Sequence, residues 1–194
     1  MTMASIGAVE PVKLFCGMIG TDQQTLDSAA SALAAVHGPI DLAGADLPFT
    51  HTDYYEAEMG RDLLRRFVAF RDLIDPCDLA TIKQGTQDIE AEFAVPDQSG
   101  SRRRVNLDPG YVAPAKLVLA STKDFAHRVA LGKGIYAEVT LNFCRSGIRC
   151  FPWTYPDFRE KLHHPFLHDV RQSLLEVKRI AGRSDHWLDK KTPR

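Results

Sequence analysis

The stretch Ile135-Tyr136-Ala137-Glu138-Val139-Thr140-Leu141-Asn142-Phe143 alternates between two sets of side chains, residue by residue. That period of two belongs to a β-strand with one face on a core and the other toward water. It puts Ile135, Ala137, Val139, Leu141 and Phe143 inside, and Tyr136, Glu138, Thr140 and Asn142 outside. The segment before it, His127 to Leu131, joins it through Gly132-Lys133-Gly134, which reads as a three-residue hairpin loop. Such a loop sets Leu131 opposite Ile135 and Arg128 opposite Glu138. His127 falls on the side of Val129 and Leu131, the place of a core histidine. Two roles fit the Arg128–Glu138 pair. As an exposed ion pair it contributes about 0–1 kcal/mol; alternatively Arg128 holds Glu138 as a general base or metal ligand.

Working outward, Val12 to Ile19 is a short apolar run that reads as a buried strand ending at Gly20. Thr21 and Gln24 have capping-box spacing, and Leu26, Ala29, Ala30, Leu33 and Val36 repeat at helical intervals until Gly38-Pro39. Ile40 to Phe49 is a weaker strand interrupted by Gly44, and His51 to Gly60 is a polar loop. Arg65 to Ile74 reads as a strand. Asp75 and Pro76 then open a helix striped by Leu79, Ile82, Thr86, Ile89 and Phe93. Pro96 to Ser101 reads as a loop and Arg102 to Leu107 as a strand that breaks at the turn Asp108-Pro109-Gly110. Pro114 to Ser121 reads as a short apolar helix and Ile148 to Trp153 as a further strand. Phe166 to Ile180 is an amphipathic helix carrying Leu167, Val170, Leu174, Val177 and Ile180.

The first six elements run strand, helix, strand, strand, helix, strand. That is the order of a ferredoxin-like split βαβ unit, with both crossover helices on one face of a mostly antiparallel sheet. The expected fold is therefore α+β, a ferredoxin-like core extended by a C-terminal hairpin and helix. Residues 1–11 are expected to be flexible, residues 12–181 to form one domain, and residues 182–194 to be a polar tail that Trp187 could anchor.

Composition narrows the function. The chain has 194 residues, of which 44% are hydrophobic and 25% charged, with a net charge of −1. No positive surplus exists to neutralise the phosphates of duplex DNA. No apolar run is long enough for a membrane helix, and Met1 to Val12 contains none that reads as a signal peptide. Cys16, Cys77, Cys144 and Cys150 show no C-x-x-C spacing, so a cytoplasmic protein with reduced thiols is expected. Phosphate loops, dinucleotide-binding glycine motifs and nucleophile elbows are absent.

The densest chemistry lies in Arg104-Val105-Asn106-Leu107-Asp108-Pro109-Gly110-Tyr111. Strand alternation puts Arg104, Asn106 and Asp108 on one face, a cation, an amide and a carboxylate suited to an anionic or metal-bound ligand. Asp-Pro-Gly is also an ordinary turn sequence, in which Asp108 is only a cap. The loop His51 to Glu58 adds an imidazole, three carboxylates and two phenols without any fixed metal spacing. Trp153-Thr154-Tyr155-Pro156 suits either base stacking or plugging the end of a core.

Five motifs in order carry a resemblance. They are Thr52-Asp53-Tyr54-Tyr55 with Glu58-Met59-Gly60, Arg104 through Tyr111, Leu119 through Asp124 with His127-Arg128, Gly134 through Leu141, and Pro152 through Asp157. Together they resemble the domain-of-unknown-function 4416 family over Val12 to Arg159, leaving the helix from Phe166 outside the match. Phe158 stands where the resemblance implies Tyr. Some members carry a GTP-binding label, which implies a phosphate loop that this chain lacks. The resemblance implies no established activity. The residues themselves point to an enzyme or binding domain for a small anionic molecule, a phosphorylated metabolite or nucleotide, with Mg²⁺ as a candidate cofactor. Asp108 and Glu138 are the candidate catalytic residues. Asp53, Glu58, Arg104, Asn106, Lys123 and Arg128 are the candidate ligand contacts. The alternative is a non-catalytic module that binds protein or RNA on its sheet face, as Arg102-Arg103-Arg104 and Tyr136 hint.

Overall fold

The computed structural model describes residues 7–97 and 100–180. Trp187 and the polar tail lie outside the described residues. The architecture is α+β, built on one large antiparallel sheet. Its strands are β1 (Val12–Gly20), β2 (Ile40–Ala43), β3 (Leu47–Pro48), β4 (Leu64–Ile74), β7 (Val105–Ala113), β8 (Lys116–Ser121), β9 (Val129–Gly132), β10 (Ile135–Cys144) and β11 (Gly147–Cys150). The order across the sheet is β11-β10-β8-β7-β1-β4-β2, with β3 beside β4 and β9 beside β10. A separate hairpin of β5 (Val95–Asp97) and β6 (Gly100–Arg102) occupies the segment expected to be a loop.

Helices cover both faces. On one, α1 (Gln23–His37) and α3 (Leu79–Glu92) bury Leu26, Ala29, Leu33, Ile82 and Ile89 against Leu14, Cys16, Met18, Val68, Phe70, Val105 and Leu107. On the other, α5 (His164–Ile180) buries Leu167, Val170 and Leu174 against Phe15, Phe67, Ala69, Val112 and Leu117. Val177 and Ile180 stay exposed, so the stripe on α5 stops short of its end. Two short helices, α2 (Glu56–Met59) and α4 (Pro156–Arg159), sit in connecting loops. Asp22, not Thr21, caps α1, accepting from the Thr25 N–H at 2.7 Å.

Three local expectations give way to tertiary pairing. The supposed turn Asp108-Pro109-Gly110 lies mid-strand, with Gly17, Cys16 and Phe15 as its partners on β1. Gly110 is there for close approach, because a Cβ would sit 2.3 Å from the Val118 carbonyl oxygen. Pro114 to Ser121 is not a helix: Pro114-Ala115 is a turn and β8 follows. Leu117, Val118, Leu119 and Ala120 are all buried, so the strand has no exposed face to create alternation. Within β10, Val139 pairs with Val118 and Leu141 with Leu117, leaving Thr140 as a bulge. The bulge reverses the alternation. Ile135, Ala137 and Val139 face the α3 side, whereas Leu141 and Phe143 join the α5 side.

The β9–β10 turn is also tighter than expected. Lys133 and Gly134 form a two-residue turn with φ of 56° and 72°, a type I′ signature. A shift in register at Ile135 restores the expected pairing from Tyr136 onward. On the outer edge of β10, β9 and β11 leave a gap that Trp153 and Thr154 fill. Trp153 Nε1 donates to the Val139 carbonyl at 2.9 Å, and the Thr154 hydroxyl donates to that of Thr140. No helix among the described residues is long and apolar enough to cross a membrane.

Candidate functional site

The β7–β8 ladder ends at Gly110 opposite Leu119, beside Pro109, which has no N–H to extend it. Beyond that point Val105 to Pro109 pair only with β1, and Ala120 and Ser121 only with β10. Helix α3 supplies what the missing ladder would have given. Glu90 Oε1 accepts from the Leu107 N–H at 2.6 Å, and Lys83 Nζ donates to the Leu107 carbonyl at 2.6 Å. Two charged side chains are thereby drawn into the interior, satisfying backbone groups that burial would otherwise strand. Burial raises the Glu90 pKa, against the pull of Lys83.

A cavity of about 710 Å³ opens at this parting, lined by Leu119 and Phe158 together with Lys83, Gln87 and Glu90 of α3. Register explains its floor. Ile19 pairs with both Arg65 and Asn106, and Gly17 pairs with Asp108. Arg65 leans across Gly17, where a Cβ would lie 2.8 Å from Nη2, so only glycine leaves room for the guanidinium. Phe67 and Phe158 approach its other surfaces, at 4.5 and 5.6 Å from ring centre to Cζ. Its Nη2 lies 2.8 Å from Asp157 and its Nη1 3.8 Å from Asp108. Asp108 also accepts from Asn106 Nδ2 at 2.8 Å and lies 3.6 Å from Lys83 Nζ.

The walls come from the 49–59 loop, the start of β7 and the segment Tyr155 to Phe158. Arg103 reaches Glu58 at 2.8 Å and Glu90 at 3.4 Å, with Tyr55 beneath it at 5.6 Å. Burial pushes the Tyr55 phenol far up, reinforced by Asp108, and pushes Tyr155 up to about 12, reinforced by Glu138. Tyr155 Oη accepts from Arg128 Nη2 at 2.7 Å. Lys123 Nζ donates to Tyr54 Oη at 2.6 Å and closes one side of the mouth.

Of the residues chosen from sequence, Glu58, Asn106, Asp108, Lys123 and Arg128 line this cavity. Arg104 does not share the face of Asn106 and Asp108. It precedes β7, and its Nη2 donates to Asp22 and Thr25 of α1 at 2.7 and 2.8 Å. Asp53 lines a separate, smaller hollow with Glu56 and Arg61. Glu138 lies outside the lining, 3% exposed, bonded at 2.9 Å to Arg128 Nε and at 2.9 Å to His127 Nε2. The Arg128–Glu138 pair is thus on one face as the hairpin predicted, but buried. His127 is not in a core with Val129 and Leu131, which are exposed; it stacks on Trp153 at 4.9 Å.

Sequence reasoning missed Arg65, Lys83, Glu90, Arg103 and Asp157. Some signal existed. Lys83, Gln87 and Glu90 form a polar stripe at four- and three-residue steps beside the apolar stripe of α3. Arg65 shares strand parity with Phe67 and Ala69, an odd place for a charge. Nothing local marked Asp157. Among the described residues no group of three or more His, Cys, Asp or Glu side chains is arranged to hold a metal ion, and the four cysteines are free.

The profile of one family, described as a domain of unknown function (DUF4416), matches residues 10–174. The chain belongs to the DUF4416 family. The match reaches past Arg159 into α5, so the helix that covers one sheet face is part of the DUF4416 domain, contrary to expectation. Comparison with curated proteins and with solved structures found no match.

Proposed function

We propose that this DUF4416 protein binds a small oxyanion-bearing molecule, such as a phosphorylated metabolite, in the cavity between β7 and β8. One observation carries the reading. Among the described residues, four buried side-chain polar atoms lack a hydrogen-bond partner, and three of them belong to the guanidinium groups of cavity-lining residues: Arg65 Nε, Arg65 Nη1 and Arg103 Nε. The carboxylates alongside have donors within reach, Asn106 for Asp108, Arg65 for Asp157 and Arg103 for Glu58. The unmet demand is for acceptors, and a guanidinium fork suits a phosphate or carboxylate. Where the bound molecule is a substrate, Asp108 is the group placed to accept its proton. Glu138 holds Arg128 in a saturated cluster beside the site and takes no direct part in binding. We further read β7-β1-β4-β2 with α1 and α3 as a ferredoxin-like core, at work in the cytoplasm.

The sheet-face interaction reading has less support, because α1 and α3 occupy one face of the central strands and α5 the other. A thermal-shift titration with inorganic phosphate, pyrophosphate and sulfate tests the proposal. At 100 times its dissociation constant a bound anion adds about 2.7 kcal/mol of stability. Arg65→Lys keeps the charge beside Asp157 but loses the fork, and is expected to fold yet lose most of that response. Asp108→Asn is nearly isosteric and is expected to fold with an altered response. A flat wild-type titration, or an Arg65→Lys response equal to wild type, refutes the proposal.

A further inference from the structure

We infer that the oxyanion taken by this cavity is borne on a flat aromatic or heteroaromatic ring, held at the mouth by Phe125 and Tyr54. The inference rests on the oxyanion reading above. Three aromatic residues that line the cavity are exposed, Phe125 at 65%, Tyr54 at 56% and Tyr155 at 41%, whereas Phe15, Phe67 and Phe158 are fully buried. Apolar rings left in water around an opening mark a surface made to be covered.

The segments that carry these rings are held in place, and the Phe125 ring lies 5.3 Å from that of His127. Phe125 sits on the turn between β8 and β9. Its carbonyl accepts from the Arg128 N–H at 2.9 Å, and Arg128 Nη1 donates to the Lys123 carbonyl at 2.8 Å. Tyr54 is fixed by Lys123, whose ammonium lies 4.1 Å from the ring centre, and by an edge contact with Tyr55 at 5.1 Å. A ring ordered beforehand loses little entropy when a second ring stacks on it. The cavity's two ends therefore ask for different chemistry. Unpaired guanidinium donors at the floor call for an oxyanion, and exposed rings at the mouth call for a planar apolar group. About 710 Å³ is far more than a bare phosphate fills and lies in the range of small-molecule sites.

Calorimetry on the full chain with matched pairs tests this: phenyl phosphate against methyl phosphate, and AMP against ribose 5-phosphate, with adenosine as the uncharged ring. The ring-bearing member of each pair is expected to bind about tenfold tighter, the usual scale of one stacked ring. Phe125→Ala should erase that advantage while leaving methyl phosphate affinity unchanged, and Phe125→Trp should restore it. Equal affinities within both pairs overturn the ring inference and leave the oxyanion reading standing. Adenosine binding as tightly as AMP, or no phosphate binding at all, overturns the oxyanion reading and the ring inference with it.

Discussion

Arg65 in β4 and Arg128 just before β9 both keep most of the side chain from water, with 3% and 9% exposed, yet their surroundings differ in kind. Arg128 is fully employed: Nε on Glu138, Nη1 on Ser121 and the Lys123 carbonyl, Nη2 on Tyr155. Arg65 makes one close ion pair, with Asp157, and a longer one of 3.8 Å from Nη1 to Asp108, and its Nε and Nη1 have no hydrogen-bond partner. A saturated guanidinium ties segments together. One with open donors is a partial site, because stranding them costs free energy that a ligand can recover. Burial alone does not separate structural from functional arginines; the completeness of their hydrogen bonding does.

The largest effect should come from breaking the saturated cluster. Glu138→Ala leaves Arg128 as a buried, unmatched cation, and a loss of about 3–5 kcal/mol is expected in urea denaturation. The phosphate response of whatever remains folded should persist. If instead stability holds and the response vanishes, the two arginines have exchanged roles.

Gly17→Ala probes the other side of the comparison. The new Cβ would meet the Arg65 guanidinium at 2.8–3.1 Å, the movable end of a side chain, so the cost should stay within about 1–3 kcal/mol. Displacing the fork should nevertheless abolish the phosphate-induced rise in melting temperature. An unchanged rise would mean that the orientation of Arg65 is irrelevant to binding.

A third, exposed arginine gives the smallest effects. Arg104 and Asp22 have side chains 40% and 44% exposed, and Arg104→Gln should cost no more than about 1 kcal/mol. Asp22→Ala removes the cap of α1 as well, for about 1 kcal/mol at neutral pH. The Thr25 N–H, with help from the Thr21 and Thr25 hydroxyls and Arg104, lowers the Asp22 pKa to about 2 from 3.8. A folded-state pKa below the unfolded one stabilises above the unfolded value and ceases to do so as pH falls through the folded one. The gap between wild type and Asp22→Ala should therefore close between pH 3.8 and about 2, as pH-dependent unfolding would register.

By itself the sequence determined the elements whose periodicity is local. The stripe Leu26, Ala29, Leu33 and the stripe Leu79, Ile82, Thr86, Ile89 are buried as their spacing requires. The strands Val12–Gly20 and Leu64–Ile74 fall within a residue of their expected bounds, and the Arg128–Glu138 pairing followed from a Gly-rich turn. Asn106 and Asp108 were legible as a polar strand face. Tertiary structure decided the rest. Asp108-Pro109-Gly110 has every local mark of a turn, yet the ladder with Phe15 to Gly17 holds it extended. The Thr140 bulge leaves no trace in composition, and β8, buried on both faces, loses the alternation that would have announced it. The cavity gathers Arg65 from β4, Lys83 and Glu90 from α3, Asp108 from β7 and Asp157 from α4. Their meeting depends on strand register and on where one ladder stops, which are properties of pairing between distant segments; a turn or stripe propensity is a property of neighbours, and where the two conflict the many hydrogen bonds of the sheet outweigh it.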